Sequence, residues 1–94
     1  MTSMNKRDKL LNRIKEVIVE EIPKNKILVF RRVLYSKLNN RGINLYIRRE
    51  DKNKSLISYI QDDELDILQN AFLETLKEFN IITKKQKELM RKSN

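Results

Sequence analysis

A mostly α-helical single domain, with room for one short β-hairpin, is the fold class this sequence predicts. Apolar residues recur at three- and four-residue steps in three separate stretches, and only one Pro and one Gly interrupt the 94 residues. Strand-like alternation is confined to Ile43–Ile47. With 39% hydrophobic and 36% charged residues, the chain can build one modest core beneath a heavily solvated surface.

The first helix precedes Pro23. Leu10, Leu11, Ile14, Val17, Ile18 and Ile22 share one face, and Ser3 or Asn5 suits the cap. Pro23 disfavours helical geometry at Ile22, so the helix should stop near Glu21. A second helix is expected from about Ile27 to Asn40, with Phe30, Val33, Leu34 and Leu38 as its apolar stripe. Gly42 is placed to close it in a left-handed conformation. Its β-favouring start, Ile27-Leu28-Val29, fits a short strand as well.

Residues 43–60 leave two alternatives. Ile43, Leu45 and Ile47 alternate with Asn44, Tyr46 and Arg48, the period of a half-buried strand. After the polar run 49–54, residues 55–60 either return as the second strand of a hairpin with a basic tip or open a short helix near Asn53 or Ser55. A third long helix starts around Asp62, Asp63 and Glu64, whose charges suit a helix N-terminus. It carries Leu65, Leu68, Phe72, Leu76 and Phe79 at helical spacing, and Asn80 can end it. Residues 83–94 form a basic tail or a final short helix of the same domain.

The residue inventory narrows the chemistry. Without Cys or His, disulfides, zinc sites built on those ligands, His general bases and Ser–His or Cys–His nucleophiles are excluded. A single Gly leaves no Gly-rich phosphate loop. Asp62, Asp63, Glu64 and Asp66 read as helix-start acids rather than a metal centre. No enzymatic activity, metal, cofactor or small-molecule substrate is therefore expected. No apolar run approaches the roughly 18–20 residues that cross a bilayer, and Met1 to Arg13 lacks the apolar segment of a secretory signal. The expected setting is the cytoplasm, in association with nucleoid or plasmid.

Charge is distributed very unevenly. Residues 24–54 hold ten Lys and Arg against two Asp and Glu, an excess of +8 that equals that of the whole chain. Residues 55–81 hold one Lys against six acids. Such clustering is the footprint of a surface that meets a polyanion, and double-stranded DNA is the first candidate. Arg48 and Arg49 suit bidentate contacts with guanine or phosphate, Lys52 and Lys54 suit backbone phosphates, and Asn53 suits adenine. Ser55 or a nearby N–H can hold a phosphate at a helix start. Arg31, Arg32, Lys37 and Arg41 supply flanking contacts. Tyr35, Tyr46 and Tyr59 stand in unrelated local contexts, with no RNP-like or GXXG pattern, so a base-stacking platform is not expected.

Three helices, a candidate hairpin and a basic centre outline a winged helix-turn-helix module. The helix from Asp62 is too acidic to be its DNA reader, because like charge repels it from phosphate over a Debye length of about 8–10 Å. Its stripe of Leu65, Leu68, Phe72 and Leu76, widened by Ile67 and Leu73, is expected instead to form a homodimer interface.

The small basic chain, the segment from Lys9 to Glu21, and the Phe30–Gly42 helix followed by a polar basic stretch resemble the PadR-like winged-helix group. More narrowly, they resemble the centromere-binding proteins of archaeal plasmid partition systems. The resemblance implies a dimeric winged helix that binds a palindromic partition site, spreads along adjacent DNA and recruits a ParB-like adaptor coupled to a Walker-type ATPase. The acidic 62–79 helix and the lack of a clear wing after it depart from that pattern. A winged-helix transcriptional repressor is the alternative within the DNA-binding class. An adaptor whose basic block meets an acidic protein partner is the alternative outside it.

Overall fold

Asn5 opens the first helix. Its side-chain oxygen accepts a hydrogen bond from the Asp8 N–H at 2.8 Å, and α1 runs Lys6–Glu21 in the computed structural model, which describes residues 5–81. The candidate cap Ser3 and the segment 83–94 lie outside the described residues. Ile22 is extended ahead of Pro23, as a residue before proline should be. A 3₁₀ turn, Lys24–Lys26, then leads into α2 (Ile27–Asn40), so Ile27, Leu28 and Val29 are helical.

Two of the long helices close in the same way. Gly42, at φ +87°, follows α2, with its N–H on the Asn39 carbonyl and the Ile43 N–H on the Leu38 carbonyl. Asn80, at φ +56°, follows the last described helix, Leu65–Glu78, with the Asn80 N–H on Lys77 and the Ile81 N–H on Leu76. Each is a Schellman closure in which a left-handed residue lets two orphan carbonyls be satisfied.

The segment between them corrects the hairpin expectation: no strand occurs among the described residues. Leu45–Arg48 is instead a single helical turn, α3, capped by the Asn44 side chain on the Ile47 N–H. Ile43 and Leu45 are buried, but Ile47 is 81% exposed, so the three-residue alternation does not define a face. The second alternative for this region is the one found, with a 3₁₀ turn at Leu56–Tyr59 immediately after Ser55. α3 packs against that turn. Gln61 donates its N–H to Glu64 at 3.0 Å, and a further 3₁₀ turn, Asp62–Glu64, feeds α4 (Leu65–Glu78).

α4 is the centre of the packing, meeting both α1 and α2. Phe30 stacks edge-on with Phe72 and Phe79 at centroid distances of 5.9 and 5.3 Å. Ile14, Leu34, Leu38 and Leu68 are fully buried in the same core. Thr75 is the one buried polar side chain among the described residues, and it donates to the Ala71 carbonyl at 2.7 Å, so its hydroxyl is not left unpaired. Leu65, Leu68, Phe72 and Leu76, expected at a dimer interface, therefore lie in the core of the single chain. The stripe is wide because α4 is covered from two sides, by α1 and α2. Ile67, partly buried, and Leu73, 47% exposed, are what it leaves toward solvent. No helix among the described residues is long and apolar enough to cross a membrane.

Candidate nucleic-acid interface

The cations of the central block divide into two sets. Along one edge, three of them meet the acidic residues of α4 and the turn that precedes it. Arg48 makes a bidentate contact with Glu64, at 2.6 and 2.8 Å, and also reaches the Tyr59 carbonyl. Lys37 pairs with Glu78 at 2.8 Å, and Arg41 pairs with Glu74. Glu64 is largely shielded from solvent, and the Arg48 guanidinium holds its carboxyl below the usual range. The acidic segment thus neutralises part of the basic block inside the fold. Lys37, Arg41 and Arg48, expected as contact residues, thus each have a carboxylate partner within the fold.

The other set lines a groove of about 1090 Å³ between α1, the start of α2, α3 and the 49–59 segment. Seven cations border it (Arg7, Lys15, Arg31, Arg32, Arg49, Lys52 and Lys54), and no Asp or Glu does. Arg7 serves the scaffold, donating to the carbonyls of Ile60, at 2.9 Å, and Ser58, which pins the 3₁₀ turn to α1. Arg49 donates to the Lys52 carbonyl at 3.2 Å. Lys15, Arg31, Arg32, Lys52 and Lys54 form no ion pair among the described residues. Cations gathered around a concavity without counter-charges focus a positive potential into it.

Local hydrogen bonds shape the loop that carries Lys52 and Lys54. The Asp51 carboxylate accepts from the Asn53 N–H at 2.9 Å, an Asx turn, and the Asp51 N–H donates to the Tyr59 hydroxyl at 3.0 Å. Asp51 thereby shapes the turn that carries Lys52 and Lys54. Ser55 lines the groove and gives its carbonyl to the Ser58 N–H and hydroxyl, but its own side chain caps nothing.

The groove also revises the reading of the tyrosines. All three tyrosines of the chain line it. Tyr35 and Tyr46 meet edge-to-face at 5.9 Å, and Tyr46 stays 58% exposed. Burial pushes the Tyr35 hydroxyl above its ordinary value, against an opposing pull from Arg31, so it stays a neutral donor. Apolar side chains complete the lining: Val19 and Leu28 are exposed at the groove, beside the buried Ile14 and Ile18.

Of the ten expected contact residues, Arg31, Arg32, Arg49, Lys52, Asn53, Lys54 and Ser55 come together here, and Lys37, Arg41 and Arg48 do not. Sequence reasoning misses Arg7 and Lys15, because which flank of α1 faces residues 49–55 depends on tertiary packing. The separation of Lys15 and Val19 by one helical turn is the only local hint. No family model, curated protein or solved structure matches this chain.

Proposed function

We propose that this chain is a non-catalytic nucleic-acid-binding module whose contact surface is the basic groove. The observation that carries the reading is the groove's lining: seven Lys and Arg, no carboxylate, and six of those cations without an ion pair among the described residues. A phosphate backbone offers the regularly spaced negative charge that such a lining lacks, and each phosphate engaged releases condensed counterions. Arg31 and Arg32 border the groove from α2, and Lys52 and Lys54 border it from the 49–59 segment, which suits a backbone running between them.

Double-stranded DNA, the ligand expected from the sequence, meets this surface through its phosphates. Arg49 and Asn53 are the groove residues whose chemistry suits base edges. Homodimerisation would run through Ile67 and Leu73, the part of the α4 stripe left outside the core, and would present two grooves to one ligand. Service in plasmid partition, on a palindromic site and with a ParB-like adaptor, rests on the sequence resemblance. A ParA-type ATPase gene beside this one would favour it over transcriptional repression.

The test is binding of a labelled duplex by the unmodified chain and by an Arg31→Ala/Arg32→Ala variant. The variant should bind several-fold more weakly while melting at the same temperature, since both side chains are exposed and form no ion pair among the described residues. Equal affinities would remove the groove from the contact surface. Binding to an acidic protein instead of to nucleic acid would favour the adaptor alternative.

A further inference from the structure

A duplex leaves much of this groove unused. Its phosphates can reach cations on the rim, but its base faces are stacked against one another and cannot touch the aromatic and apolar lining. That lining is substantial: Tyr46 is 58% exposed, and Val19 and Leu28 are 71% and 62% exposed at the same groove. Exposed apolar and aromatic surface set among cations without counter-charges suits a ligand with both negative charge and accessible π faces. Unpaired nucleotides have both.

We infer that the groove takes a single-stranded stretch of nucleic acid, with a base stacked on Tyr46 and the adjoining phosphates against Arg31, Arg32, Lys52 and Lys54. The inference rests on the nucleic-acid reading above and narrows its ligand. Tyr46 stands on α3, whose single turn is closed by the Asn44 cap and anchored by the buried Leu45, so the ring's attachment is rigid. Its edge-to-face contact with Tyr35 fixes the ring plane before a ligand arrives, which lowers the ordering cost of stacking. Tyr59 holds the Lys52–Lys54 loop through its hydroxyl, tying the cationic rim to the aromatic wall. Stacking on an aromatic side chain tolerates any base, so the predicted preference is for strandedness rather than sequence.

The test uses the whole chain, a labelled oligonucleotide of roughly 12 nucleotides as DNA and as RNA, and the corresponding DNA duplex, all at one salt concentration. The single strands should bind more tightly than the duplex, and the tighter of DNA and RNA identifies the source. Tyr46→Ala should weaken single-strand binding by roughly five-fold or more, whereas Tyr46→Phe, which keeps the ring, should bind within about two-fold of the unmodified chain. Because the chain has no Trp and all its Tyr line the groove, its intrinsic tyrosine emission reports the site directly. Single strands should quench that emission, and Tyr46→Phe should remove part of the quench without unfolding the chain. Duplex binding as tight as single-strand binding, or Tyr46→Ala binding as well as the unmodified chain, would overturn the inference. If Arg31→Ala/Arg32→Ala still weakened binding in that case, the groove reading would stand. Failure of every oligonucleotide to bind would bring both down.

Discussion

α2 carries cations of two kinds. Near its start, Arg31 and Arg32 face a groove lined by no carboxylate. Near and just past its end, Lys37 and Arg41 reach across to Glu78 and Glu74 of α4, and Arg48 of α3 is held by Glu64. The five have nearly the same chemistry and sit within eighteen residues of one another. What separates them is the face of α2: the acidic helix packs along the side that carries Phe30, Leu34 and Leu38 and pairs with Lys37 and Arg41, while Arg31 and Arg32 border the groove. Net charge in a sequence window is therefore an upper limit on the charge a surface offers. The fold withdraws from that window every cation it pairs.

The largest expected effect of breaking this division is on binding. Arg31→Glu with Arg32→Glu places two negative charges in the groove and should weaken nucleic-acid affinity by roughly tenfold or more, with the melting temperature nearly unchanged. Anisotropy titration and thermal melting check the two halves. An equal effect from Lys37→Glu with Arg41→Glu would erase the distinction between the sets.

Glu64 comes next, and its effect is on stability. It accepts two hydrogen bonds from Arg48 and one from the Gln61 N–H, and it is mostly shielded from solvent. Glu64→Gln should cost about 1–3 kcal/mol in chemical denaturation, since it leaves a partly buried guanidinium without its counter-charge. The same pair sets a pH dependence. The Glu64 carboxyl lies below its unfolded value, near pH 4.3, because of the hydrogen bond from Arg48. Its contribution is therefore complete above that pH and is lost as the pH falls through the lower folded value. Glu64→Gln should flatten that acid-side decline, and stability curves for the two chains between pH 7 and pH 2 check it.

How much of the molecule is legible in its sequence follows from how local each signal is. The bounds of α1 come from Asn5 and Pro23, and the ends of α2 and α4 from Gly42 and Asn80, because capping and left-handed closure are fixed by the residues at the turn itself. Residues 43–60 are ambiguous in sequence because Ile43, Leu45 and Ile47 are too few to establish a period. The burial of Leu45 under its neighbours, together with the Asn44 cap, decides for a helical turn. For the site, the concentration of charge is legible, and seven of the ten expected residues line one groove. The pairing of Arg48 with Glu64, sixteen residues away, is not legible, nor is the convergence of three tyrosines from separate elements. Both are products of tertiary packing.

A smaller effect concerns assembly. Leu73 is exposed on α4, so Leu73→Glu should leave the melting temperature within a few degrees of the unmodified chain. If the chain dimerises through that face, sedimentation should show Leu73→Glu shifted toward monomer. An unmodified chain that is monomeric at tens of micromolar would remove this face as an interface. Smaller still, Lys37→Ala or Arg41→Ala should change stability by no more than about 1 kcal/mol, since the carboxylate partners Glu78 and Glu74 are about half exposed.

The salt dependence of affinity tests the division of cations most directly. Log affinity for nucleic acid should fall linearly with log salt, with a slope of about −0.7 per phosphate neutralised on a single strand or about −0.9 on a duplex. Lys52→Ala with Lys54→Ala should make that slope shallower by the same amount for each phosphate no longer neutralised, whereas Lys37→Ala with Arg41→Ala should leave it unchanged. An affinity indifferent to salt, or an equal change in slope from the two pairs of substitutions, would contradict the division.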